Sequence, residues 1–267
     1  MPNIAIVVEG AHDASFLGQL LKRRGFSAVR KLADIPDDWR SLFPRMFPVD
    51  GENLERVMRF PEVHTLDDLA VGIMTAGSDS RVISTLRVVI DAIGTGSLAG
   101  IGLFVDTDSH GVAQRFAQIQ KQLNALNAAA TQANEPGYPI AVPSSPGTIE
   151  VADLPVGVFL FPDNQANGAL ENVLIACAQE NHSEIAAASL ALVSQLDHGC
   201  PQGQKDLKSL RAGMGMQKAA VGAIANVLKP GASVAASLAQ TSWLEEPAAK
   251  HELVKGADEF LSALLQK

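Results

Sequence analysis

Three times along this chain a short buried-looking strand runs into an acidic residue and then into a helix. That repetition constrains the fold more than any single motif does. Asn3 to Val8 (NIAIVV) is an apolar, β-branched run between Pro2 and Gly10, and Glu9 stands at its carboxyl end. Ile101 to Val105 is the second run, and Asp106-Thr107-Asp108 follows it. The i, i+2 spacing puts both carboxylates on one side of an extended chain. Val156 to Phe161 (VGVFLF) is the third, closed by Pro162, Asp163 and Asn164. Helical spacing resumes after each: Phe16, Leu17, Leu20 and Leu21; Phe116, Ile119, Leu123 and Leu126; then Ala169 to Asn181, with Glu171 in its first turn.

Strands alternating with helices imply an α/β protein built on a mostly parallel, Rossmann-like sheet flanked by helices. In such sheets ligands bind outside the carboxyl ends of the strands, where these acids fall. The alternation stops near residue 164. The expected division is therefore an α/β domain over 1–164 and a helical C-terminal extension over 165–267, with helices at Glu184–Leu196, Gln217–Leu228 and Ala257–Leu265. Phe26 to Leu32 reads as an edge strand. The proline-rich text from about 33 to 77 reads as an insertion over the sheet, with one short helix near Leu66–Ile73. Ser78 to Ile93 returns to helical spacing. The Pro-, Gly- and Ser-rich stretch from Asn134 to Pro155 reads as a loop holding Tyr138 and a short strand at Ile140–Val142.

Composition narrows the class. The 267 residues are 47% hydrophobic, enough for a large core, and 21 basic against 29 acidic residues give a net charge of −8. A surface of that sign does not coat nucleic acid indiscriminately. The two cysteines, Cys177 and Cys200, have no C-x-x-C partners, so neither a zinc module nor a disulfide framework is expected. The opening MPNIAIVVEG lacks the form of a signal peptide, and no run approaches the roughly 20 apolar residues of a membrane span. The expectation is a cytoplasmic protein without a membrane partner.

Four strand-end carboxylates brought to one sheet edge would repel one another unless a cation or proton intervened. Hard oxygen donors in that number suit Mg²⁺ or Mn²⁺. The competing account is ordinary, with one acid capping a helix and another solvated. His12, beside the first acid, could shuttle a proton or simply be a surface histidine. Gly213 and Gly215 follow no strand and make no phosphate loop. Lys205, Lys208, Arg211, Lys218 and Lys229 face only Asp206 in their segment, a net +4 that could hold a phosphate backbone.

The residues Val8-Glu9-Gly10-x-x-Asp13-x-x-Phe16-Leu17 and Phe104-Val105-Asp106-x-Asp108 resemble the TOPRIM signature, a Glu after the first strand and a DxD after a later one. Phe161-Pro162-Asp163-Asn164 with Gly168-x-Leu170-Glu171-Asn172 is similar to an uncharacterised TOPRIM-like family, a domain of unknown function related to the nuclease domains of overcoming-lysogenization-defect proteins. The resemblance spans roughly residues 3–175, with 33–77 unmatched. It implies that Glu9, Asp106 and Asp108 are catalytic metal ligands, that Asp163 and Glu171 complete or add a site, and that Gly10 and Asp13 support it. It further implies Mg²⁺- or Mn²⁺-dependent action on phosphodiester bonds of nucleic acid. His110 stands where many relatives carry a third acid, which bears on a second metal. A topoisomerase would need a tyrosine nucleophile in a DNA gate, and only Tyr138 is present. A bacterial primase would need a zinc module. Two alternatives stand beside the nuclease-like reading. One is a non-catalytic metal- or nucleotide-binding, partner-regulated module. The other is a haloacid-dehalogenase-like phosphatase, with Asp106 as nucleophile and Asp108 as acid, which leaves Glu9 unexplained.

Overall fold

The computed structural model describes residues 1–44, 60–108, 110–132, 138, 140–151 and 154–266. These form a seven-stranded sheet: β1 (Asn3–Val8), β2 (Ser27–Ala28), β3 (Glu62–Leu66), β4 (Leu69–Thr75), β5 (Leu98–Asp106), β6 (Ile149–Glu150) and β7 (Val156–Phe161). The order across the sheet is β2-β3-β4-β1-β5-β7-β6. The four central strands, β4, β1, β5 and β7, run parallel, and antiparallel pairs flank them on both sides. All six residues of β1 and all six of β7 are buried, as parallel strands covered on both faces require.

Alternate residues of each strand feed two cores. Ile4, Ile6 and Val8 join Phe104, Phe159 and Phe161 on one face, beneath α1 (Ala11–Arg23), α5 (Leu170–Asn181), α7 (Gly215–Leu228), α8 (Val234–Gln240) and α9 (Glu252–Leu265). Ala5, Val7, Leu103, Val105 and Leu160 face the other way. They meet Trp39 of α2 (Asp37–Arg40) and the apolar stripes of α3 (Val82–Ile93) and α4 (Val112–Gln132). α6 (Ser183–Gly199) packs outside α5 and α7.

The C-terminal helices therefore complete a core that the sheet begins. Gly102 and Gly157 floor the strip on which α9 lies. A Cβ at Gly102 would come 2.6 Å from Leu264 Cδ2, and one at Gly157 would come 2.7 Å from Phe260 Cζ. The missing side chains let a helix touch strand backbone. Phe260 then meets Phe104 edge-on at 5.2 Å and Phe159 at 5.6 Å between ring centroids. Trp243, in the turn after α8, is fully buried and donates to Ser237 Oγ at 2.9 Å.

One expectation is overturned. Within 33–77 the chain supplies a hairpin of the sheet where a short helix over Leu66–Ile73 was expected, and β4 pairs with β1 from Ala70 to Thr75. Ala70 to Met74 is a short continuous apolar run, and periodicity alone does not separate a buried strand from a helix turn there. Asp67, with φ 48°, makes the tight turn between β3 and β4. Part of that stretch, 45–59, lies outside the described residues, as do 133–137 of the loop after α4. In place of the expected strand at Ile140–Val142 there is a single bridge, Ile140 to Leu154. The edge strand expected over Phe26–Leu32 shortens to Ser27–Ala28. Among the described residues no helix is long and apolar enough to cross a membrane.

Candidate functional site

β1 is followed by a helix on one face of the sheet, and β5, its neighbour, by a helix on the other face. The two connections diverge at the carboxyl ends of these strands and leave a crevice, which is the switch point of an open α/β sheet. Glu9 and Asp106 flank it. Glu9 turns one oxygen inward, where Oε1 accepts from the Asp106 backbone N–H at 3.1 Å. Gly10 begins α1 with extended backbone, and its N–H donates to Asp13 Oδ2 at 2.7 Å, so Asp13 closes the first turn and lies buried.

At the end of β5, Asp106 Oδ1 accepts from the Leu170 N–H at 3.0 Å, placing its carboxylate at the positive end of α5. Thr107 is wholly buried and latches two loops together. Its Oγ1 accepts from the Gly168 N–H at 2.7 Å, with the carbonyls of Phe161 (3.0 Å) and Gly168 (2.9 Å) in reach of its proton. Asp108 takes a left-handed φ of 48°, sparsely populated by non-glycine residues, and its N–H donates to Gly168 O at 2.8 Å. Glu171, buried in the first turn of α5, has His12 Nδ1 3.9 Å from its Oε1.

These carboxylates act on one another at a crevice where most of them are buried. Burial raises the Asp106 carboxyl well above the ordinary range, and the charges of Asp13, Glu9 and Glu171 raise it further against the Leu170 N–H. Asp13 is pushed up to about 7 by burial, against the pull of the Gly10 N–H and with Glu9 and Glu171 adding repulsion. Burial raises Glu9 too, while the Asp106 N–H and Arg115 draw it back and Asp79 and Asp108 oppose them.

The chain's relationships follow from its full length. A family model described as "Protein of unknown function (DUF3226)" matches residues 3–250. The chain belongs to this family. It is also similar to the crystal structure of hypothetical protein PH0156 from Pyrococcus horikoshii OT3, with a TM-score of 0.53 and 18% identity over 99% of this chain and 95% of that one. At that identity the likeness is one of fold. No curated protein matches.

In this DUF3226 chain the fold gathers Glu9, Asp13, Asp106 and Glu171 around one crevice, with Asp108 in electrostatic reach of Glu9. Asp13 and Glu171 are as much part of the cluster as the DxD. Three of the four are tethered through one oxygen, Asp13 and Asp106 by backbone N–H groups and Glu9 by an N–H and a guanidinium, while Glu171 has an imidazole 3.9 Å away. As placed, no three His, Cys, Asp or Glu side chains among the described residues clasp one point closely enough for an ion. The donor set is nonetheless all hard oxygen: Asp13, Asp106 and Glu171 are buried and repel one another, and Arg115 pairs with the fourth acid, Glu9. That chemistry fits Mg²⁺ or Mn²⁺.

Asp163 has partners within its own loop. Its Oδ1 accepts from the N–H groups of Gln165 (3.0 Å) and Ala166 (2.7 Å), which makes it a turn-former for its own loop. The three carboxylates that press hardest on Asp106 are Asp13, Glu9 and Glu171. Arg211 is likewise committed. It binds Asp197 Oδ1 at 2.7 Å and the carbonyls of Asp197, Cys200, Pro201 and Gln202, holding the turn after α6. Lys205, Lys208 and Lys218 are exposed.

Sequence reasoning missed Arg115 on α4. Its side chain is 3% exposed, its Nε–H donates to Asp106 O at 3.0 Å, and its Nη2 reaches Glu9 Oε1 at 3.1 Å and Asp79 Oδ1. The available signal was a cation in the first turn of a helix, where the dipole disfavours it.

Proposed function

We propose that this chain binds Mg²⁺ or Mn²⁺ in the crevice between β1 and β5 and acts on phosphodiester bonds of nucleic acid. In this it would be akin to the TOPRIM-like nuclease domains that its VEGxxD and DxD residues resemble. The observation that carries the reading is the convergence of Glu9, Asp13, Asp106 and Glu171, all drawn from strand ends and the first turns of the following helices. Asp106, Asp13 and Glu171 would hold the ion, with Glu9 bracing it from β1 and Asp108 at the rim. A divalent ion there supplies charge to a phosphodiester oxygen and acidifies bound water. His12, whose side chain is 42% exposed, stands between Glu171 and solvent and can take or give a proton. Lys205, Lys208 and Lys218 are the basic groups free to meet a phosphate backbone, a smaller set than the segment's net charge suggested.

The test combines Mn²⁺ titration with a nicking assay on DNA and RNA. Expected are a rise in melting temperature with Mn²⁺ and cleavage that is lost equally in Glu9→Ala and Asp106→Ala. Ion binding without cleavage of either polymer favours the second reading, a non-catalytic metal- or nucleotide-binding module. The commitment of Arg211 to internal contacts and the net charge of −8 support that alternative. Hydrolysis of a phosphomonoester with a trapped aspartyl-phosphate at Asp106, indifferent to Glu9→Ala, would point to the phosphatase.

A further inference from the structure

A guanidinium gives up a large hydration energy when buried, and a protein keeps one only where acceptors surround it. Arg115 meets that condition inside the acidic crevice. Its Nε–H serves the carbonyl of Asp106, Nη1 lies 3.4 Å from Gln118 Oε1, and Nη2 bridges Glu9 Oε1 and Asp79 Oδ1. The Glu9 oxygen it holds also accepts from the Asp106 N–H. One cation thus ties together the end of β1, the 3₁₀ turn at Asp79–Arg81 and the end of β5.

We infer that Arg115 is a resident cation standing where a second metal ion would otherwise bind, so that each chain takes a single divalent ion. The inference rests on the metal-binding reading above and adds the number of ions to it. In two-ion centres the ions sit about 3.5–4 Å apart and share a carboxylate. Here Glu9 is the shared carboxylate: it pairs with the guanidinium and its charge also presses on Asp13 and Asp106. An arginine does not lose its proton in a protein, so this charge is permanent where an ion would come and go. The same contact explains why the carboxylates surround the crevice without closing on one point, since Arg115 draws Glu9 toward α4. Arg115 is by this account a positioning residue.

The experiment counts ions on the full-length protein by calorimetry and by Mn²⁺ paramagnetic resonance. Wild type should take one Mn²⁺. Arg115→Met, similar in length and uncharged, should take two, and Arg115→Lys, which restores the charge, should return to one. Mn²⁺ should also raise the melting temperature of Arg115→Met by more than that of wild type. Two ions in the wild type, or one ion of unchanged affinity in Arg115→Met, overturns the inference. If wild type takes none and Arg115→Met takes one, the resident-cation role stands and the metal-dependent reading of the wild type fails. No ion in either sinks both. Should Arg115→Met not fold, the wild-type count still decides.

Discussion

The two halves of β5 handle burial in opposite ways. Its amino half carries Gly100 and Gly102 and gives up side chains, so that Leu264 of α9 can rest on the strand. Its carboxyl end carries Asp106 and keeps an ionisable group whose charged form burial opposes, held by the Leu170 N–H and crowded by three other acids. One half gains apolar contact and the other gives up stability for a poised group. A strand can be optimised for folding at one end and for chemistry at the other, and substitutions at the two ends should then differ in sign.

The largest effect should come at the apolar end. Phe260→Ala removes the ring that rests on Gly157 and meets Phe104 and Phe159. It should lower stability by about 3–5 kcal/mol in urea melts, with Mn²⁺ affinity unchanged wherever the fold persists. At the acidic end, Asp13→Asn should do the reverse. The folded Asp13 carboxyl is raised to about 7 from 3.8, so its contribution is present below 3.8 and lost as pH climbs through 7. At pH 8 the metal-free variant should therefore be the more stable, by on the order of 4 kcal/mol, while its Mn²⁺ affinity falls about 10–100-fold. Destabilisation of metal-free Asp13→Asn at pH 8 would erase the contrast.

Away from both ends, His64 on β3 sets the acid baseline. It is buried over Gly18 with both ring nitrogens unpartnered, Glu62 is the nearby acid, and desolvation lowers its pKa from 6.5 to about 4. The unfolded chain then takes up the proton first. Stability should be full above 6.5 and fall as pH drops toward 4, by about 1 kcal/mol between pH 6.5 and 5.5. His64→Leu should flatten that slope in denaturant titrations across the range. The smallest effect belongs to Asp163→Ala, which loses a local turn worth about 0.5–1 kcal/mol and should leave Mn²⁺ affinity at the wild-type value. A weaker Mn²⁺ isotherm in that variant would return Asp163 to the cluster.

The acids at the ends of β1 and β5 were legible because an apolar run fixes where a strand stops, and a carboxylate just beyond it can only sit at the sheet's edge. Asp13 and Glu171 were legible as first-turn acids, but their burial was not, since it depends on α1 and α5 meeting at the crevice. Asp163 had the same sequence credentials as Asp106. The difference lies in the loop after β7, which turns back on the carboxylate and offers its own N–H groups. Arg115 depends on partners in three separate segments, and spacing along one helix says nothing of them. The hairpin of β3 and β4 was lost because Ala70 to Met74 is too short and too uniformly apolar for its period to show.

The glycine-floored strip has a consequence for the order in which the protein is made. Gly102 and Leu264, which touch in the finished molecule, are separated by more than half the chain. Until α9 is synthesised, β5 and β7 present bare backbone and the rings of Phe104 and Phe159 on an uncovered face. Contacts so distant in sequence form late and slowly. A nascent chain that has completed its last strand is therefore still an aggregation-prone intermediate. Its sheet becomes a finished surface only when α9 has left the ribosome.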